Sequence, residues 1–233
     1  MNIETIFSLS FKIFNKTLRS IIPFILFYNI FVILISYFFE IENITYSIDT
    51  QLYTIIPLLS IYIIQLIYFI LITQFIFDKI NNTKIHFNII RIIKSLINII
   101  GLYLLIFIPP IIIITGLMSI NSGAFFLLGI IPILLFVTIF ANYLIINNKK
   151  NIIESIIGSY KIITNHLSET IILVMINIVF VFFVIIITAI GNQILPIILS
   201  SFLVNILNYF ISIFNIYFYY LLNSKFNRKN INE

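Results

Sequence analysis

Cysteine and tryptophan are both absent from the 233 residues. Without cysteine there is no disulfide, no thiolate metal ligand and no cysteine nucleophile. Without tryptophan, any aromatic belt at a membrane surface falls to tyrosine and phenylalanine. Charge is also scarce: 9% of residues are Asp, Glu, Lys or Arg, against about 25% in soluble domains.

Apolar residues take the place of charge. They make up 61% of the chain, and the mean hydropathy is +1.18. A water-soluble fold cannot hide this much apolar surface, so hydrocarbon must surround much of the polypeptide. The apolar runs are long and unbroken, without the alternation of a β-barrel. The expected fold is therefore an all-α membrane protein, a single polytopic domain over residues 1–233. Ile, Asn, Lys, Phe and Tyr are heavily used, as AT-rich codons would produce.

Six stretches are long enough for a bilayer core, which takes about 20 helical residues. They cover roughly residues 21–39, 55–77, 96–118, 124–146, 171–190 and 195–222, and none contains Asp, Glu, Lys, Arg or His. The segments between them alternate in charge. Lys12, Lys16 and Arg19 precede the first span, and Glu40, Glu42 and Asp49 follow it. Lys79, Lys84, Arg91 and Lys94 come after the second, Lys149, Lys150 and Lys161 after the fourth, and Lys225, Arg228 and Lys229 after the sixth. All 13 basic residues thus fall on one side. The positive-inside rule makes that side cytosolic, with both termini there. The same bias accounts for the net charge of +5 without nucleic acid.

Three cytosolic segments show helical spacing of apolar residues. In Asn151–Ser168, Ile153, Ile156, Ile157, Tyr160, Ile163 and Leu167 share a face opposite Asn151, Glu154, Gly158, Lys161 and Asn165. The N-terminal segment does the same with Ile3, Ile6, Phe7, Phe14 and Leu18, and Lys84–Asn98 with Ile89, Ile90, Ile93 and Leu96. Each is expected to lie as an amphipathic helix in the interface, apolar side toward acyl chains. The N-terminal and 151–168 segments share a faint likeness, read either as an internal repeat or as what any two amphipathic helices of this composition show: Ile3-Glu4-Thr5-Ile6 parallels Ile153-Glu154-Ser155-Ile156 and, with a one-residue gap, Ser10-Phe11-Lys12-Ile13 parallels Ser159-Tyr160-Lys161-Ile162.

Asn148–His166 reads N-K-K-N-I-I-E-S-I-I-G-S-Y-K-I-I-T-N-H. It resembles the matching segment of the YciC-like family of bacterial inner-membrane proteins, and of the membrane domain joined to some glycerophosphodiester phosphodiesterases. Those families carry a charged turn, then an amphipathic helix with a small residue after its acidic position and a serine four residues on. Ser155 and Ser159 stand at those places. The turn here lacks the glycine often found in it. The resemblance implies a six-span protein of the bacterial inner (plasma) membrane and brings no catalytic residue with it.

Polar side chains inside the spans are few. Ser201, Asn205, Asn208, Ser212 and Asn215 recur at spacings of four, three, four and three, one stripe along the sixth span. The stripe either lines a polar cavity or bonds neighbouring helices, and bonding is favoured. Asn29, Gln65, Gln74, Asn142 and Asn177 are expected to act as interhelical glue. Pro109-Pro110, Gly129 and Pro132 should kink the third and fourth spans. Lys149, Lys150, Lys161, Lys225, Arg228 and Lys229 are placed to meet anionic phospholipid headgroups.

No phosphate-binding glycine loop and no nucleophile elbow is present. The two histidines, His86 and His166, come with no cysteine, whereas a metal centre usually needs three or four ligands. Neither catalysis, a metal nor a cofactor is expected. Two functions remain: a lipid-interacting scaffold or envelope component, and a small transporter or channel for an uncharged or amphiphilic solute.

Overall fold

The computed structural model describes residues 3–38, 51–83, 88–117, 136, 138–148, 150–194 and 197–231. Among them all regular structure is helical: α1 (Ile3–Phe38), α2 (Gln51–Ile80), α3 (Ile89–Leu117), α4 (Ala141–Asn148), α5 (Ile152–Asn165), α6 (Leu167–Ile194) and α7 (Ile197–Ile231). Five of them, all but α4 and α5, are long and apolar enough to cross a membrane. The chain is an all-helical, multi-pass membrane protein. The expected fourth span falls largely on residues outside the described set, which takes up again at Phe136 and Thr138.

Helix ends follow local chemistry. Asn88 opens α3 by accepting the Arg91 N–H (3.2 Å), and Asn151 opens α5 by accepting the Glu154 N–H (2.8 Å). Both side chains satisfy a donor that a helix start leaves free. At the end of α2, Asn82 adopts φ +53°, and the Thr83 N–H returns to Asp78 O at 2.9 Å. Asparagine tolerates this left-handed turn better than a β-branched residue does.

The expectation of three separate interfacial helices is corrected. α1 runs without interruption from Ile3 to Phe38, so the N-terminal amphipathic segment and the first span are one helix. Nothing between Leu18 and Ile22 stops a helix, and Pro23 removes one N–H without ending it. Likewise α3 carries its amphipathic start straight into the third span, through Pro109-Pro110 to Leu117. Only α5 stands apart. His166 leaves helical geometry (φ −136°, ψ 45°), and its N–H bonds Ile162 O and Ile163 O while α6 begins at the next residue.

The described chain divides into two compact units. The first holds residues 1–84 and 172–217. Its core includes Ile6, Ile25, Ile70, Ile76, Ile213 and Phe214. Phe7 joins three elements there, with ring centres 4.7 Å from Phe214 and 6.2 Å from Phe180. Tyr28 of α1 stacks on Tyr68 of α2 at 4.3 Å. The second unit holds residues 85–171 and 218–233. Ser95, Ile99, Leu102 and Ile106 form the buried side of α3, and Phe140 and Tyr143 lie against Tyr219 of α7.

Candidate functional site

In the first unit the stripe on α7 is divided between two neighbouring helices. Asn205 Nδ2 donates to Asn29 Oδ1 at 2.8 Å, and Asn29 Nδ2 donates to Ile25 O. Asn215 and Asn177 donate to each other, both at 2.9 Å. Asn205 thus ties α7 to α1, and Asn215 ties α7 to α6. The rest of the stripe stays local: Ser201 O accepts from Asn205, and the Ser212 hydroxyl donates to Asn208 O, while the Asn208 side chain is exposed. One member escaped the pattern. Tyr209 donates to Thr17 Oγ1 at 2.7 Å, and Thr17 passes the chain to Ile13 O. Both residues are buried. Tyr209 counts as apolar in periodicity, although it follows Asn205 by one helical turn, and that spacing was the available signal.

In the second unit α4 and α5 pack closely, and α3 packs on both. Small residues allow it. A Cβ added at Gly158 would stand 2.9 Å from Leu144 Cδ1, and one at Gly101 would stand 2.7 Å from Ile152 Cδ1. Ser155 and Ser159, the serines that carry the family resemblance, are both 0% exposed. The Ser159 hydroxyl accepts the Phe140 N–H at 3.2 Å. Asn142 donates to the Tyr103 hydroxyl at 2.9 Å.

The outward side of α5 is narrower than expected. Ile153, Ile157 and Tyr160 are 65%, 49% and 55% exposed, whereas Ile163 is buried. The helix therefore has three sectors: Ser155, Ser159 and Ile162 inward, an apolar ridge of Ile153, Ile157 and Tyr160 outward, and Glu154, Lys161 and Asn165 between. Ile163 turns inward because serine and glycine let α5 sit down on α4 until neighbouring positions are covered.

The basic residues take different roles. Lys161 is exposed, and Lys150 Nζ lies 3.5 Å from where a Gly158 Cβ would stand. Lys149 lies outside the described residues. Lys225, Arg228 and Lys229 fall on the last helical stretch of α7, the latter two standing three and four residues after the first. Arg91, read from sequence as a topology signal on the polar face of an interfacial segment, donates from Nη2 to Ile146 O at 2.8 Å. It thereby satisfies a carbonyl in the last turn of α4 and meets the negative end of that helix. His86 lies outside the described residues, and His166 Nδ1 is 3.8 Å from Oε1 of Glu169, a carboxylate three residues on. The sequence reading took neither histidine to have a carboxylate three or four residues on, and Glu169 corrects it. Among the described residues no cluster of three or more His, Cys, Asp or Glu could hold a metal.

Comparison with protein-family models, curated proteins and solved structures returns no match.

Proposed function

We propose that this protein is a component of the bacterial inner membrane, with six spans and both termini cytosolic, that acts as a lipid-interacting scaffold rather than an enzyme. The shape of α5 carries the reading. An apolar ridge on a helix that packs inward through serines, with Lys161 beside the ridge, suits a helix lying at headgroup level. Its ridge contacts acyl chains, and Lys150 and Lys161, joined by Lys149, Lys225, Arg228 and Lys229, meet anionic phospholipids at about 1 kcal/mol each near the surface. The resemblance of the 148–166 segment to the YciC-like family supports the same assignment. The stripe on α7 fits scaffolding too, since Asn205 and Asn215 are spent on neighbouring helices.

The missing tryptophan makes the test direct. Tyr160→Trp in the full chain introduces a single indole on the ridge. In nanodiscs, lipids brominated high on the acyl chain should quench it, more strongly when the nanodisc contains anionic lipid. Fluorescence indifferent to brominated lipid removes the interfacial placement. Quenching with no preference for anionic lipid removes the headgroup reading and leaves the placement.

The transporter or channel reading rests on one observation, the turn at Ile139–Phe140 inside the fourth apolar stretch, because interrupted helices form transporter sites. Cysteines at 205, 208 and 212 decide between the readings. Water-soluble reagents entering at all three positions would favour a solute path over a bonded stripe.

A further inference from the structure

The fourth apolar stretch contains a break, and another helix completes its hydrogen bonding. The Ile139 N–H reaches back three residues to Phe136 O at 3.3 Å, a tight turn rather than an α-helical step. Phe140 O then accepts the Leu144 N–H at 3.1 Å and so starts α4. In a continuous helix the Phe140 N–H would go to Phe136 O. Here it goes to the Ser159 hydroxyl of α5. Phe140 and Ser159 are each 0% exposed, so bulk water does not serve as the acceptor.

We infer that α5 is a latch that holds this break open, and that the break closes into continuous helix when α5 lifts. Three observations bear on it. First, an unsatisfied amide in an apolar setting costs several kcal/mol, so Phe140 cannot simply lose its acceptor. When Ser159 leaves, the carbonyl of Phe136 is the ready substitute. The Phe140 N–H exchanges the Ser159 hydroxyl for a carbonyl that also takes the Ile139 N–H and has a second lone pair, which makes two discrete arrangements. Second, the seat of α5 on α4 is closely fitted at Gly158 and Leu144, so small displacements of α5 are resisted and larger ones are all-or-none. Third, the opposite side of α5 is the exposed ridge of Ile153, Ile157 and Tyr160, a surface on which the surroundings can pull. The latch goes beyond the scaffold reading and does not depend on lipid charge.

The experiment uses the full chain, isotope-labelled, in nanodiscs. Ser159→Ala removes the acceptor. Ser155→Ala is the control, since that hydroxyl is equally buried and has no hydrogen-bond partner among the described residues. The expected result is a move of the Ile139 and Phe140 Cα shifts from turn to helical values in Ser159→Ala, with Ser155→Ala like the parent. Shifts that stay at turn values in Ser159→Ala overturn the latch. If that variant does not accumulate, amide exchange of the parent chain decides. The Phe140 amide and the α5 amides should exchange within about threefold of one another, as one opening unit. A wider separation means that α5 does not guard Phe140, and the inference fails.

Discussion

Tyr209 shows what a single hydroxyl contributes inside this bundle. Its bond to Thr17 joins two residues 192 positions apart in the chain. Tyr209→Phe should destabilise the detergent-solubilised protein by about 1 kcal/mol, within the range for interhelical bonds in membranes. Thr17 keeps its own bond to Ile13 O, so no donor is stranded by the change. Thermal unfolding monitored by circular dichroism checks the figure. The reciprocal pair Asn177–Asn215 allows a stricter measurement. A double-mutant cycle with alanine at each should return a favourable coupling of about 1 kcal/mol, and a coupling near zero would mean that each amide finds another partner. The four-three spacing showed that the α7 polar residues share a side. It could not show that Asn205 turns to α1 and Asn215 to α6, because a single helix pattern holds no information about its neighbours. Asn82 is simpler. With φ at +53°, Asn82→Val should cost about 1–2 kcal/mol, while Asn82→Gly should be nearly neutral.

Helices show where sequence patterns are strong and where they mislead. The existence of α1, α2, α3, α6 and α7 was plain in their apolar runs. Their starts were not. At Leu18–Ile22 the pattern changes from amphipathic to uniformly apolar, which invites a boundary, yet the backbone has no reason to stop there. At Asn165–His166 it does stop, and the Ser168-Glu169 pair that follows offers a fresh helix start. The packing side of α5 was misjudged for a different reason. Ile163 was grouped with the outward apolar residues, while Gly158 was taken as part of the polar surface. In a membrane bundle small residues mark close approach instead. Gly158→Val should therefore force Leu144 aside and cost about 1–3 kcal/mol by overpacking. Tyr160→Ala, on the exposed ridge, should change stability by less than about 0.5 kcal/mol. Unfolding in a graded detergent mixture compares the two.

At the scale of the molecule, the lipid-embedded, all-helical character was legible from charge and apolar content alone. The positive-inside arrangement makes a further prediction. Reporter fusions at Asp49 and Asn192 should report the side opposite to fusions at Lys84 and Lys229. A cytosolic reading at either of the first two sites contradicts the six-span arrangement. Which basic residues stay exposed was less legible. Lys161 faces outward as the pattern suggests, whereas Arg91 is committed to the end of α4. Charge sign sets topology, but which cations remain free to meet lipid depends on packing that a linear pattern does not contain.

The unbroken length of α1 has a mechanical consequence. Its 36 residues extend about 54 Å at 1.5 Å per residue, well beyond the ~30 Å of hydrocarbon in a bilayer. The excess amounts to roughly 16 residues of rigid rod projecting into water or lying oblique to the sheet. A load applied at Ile3 is carried along one helix to Phe38, so anything tethered to the first residues would tip the far end in proportion, as a crank turns its shaft.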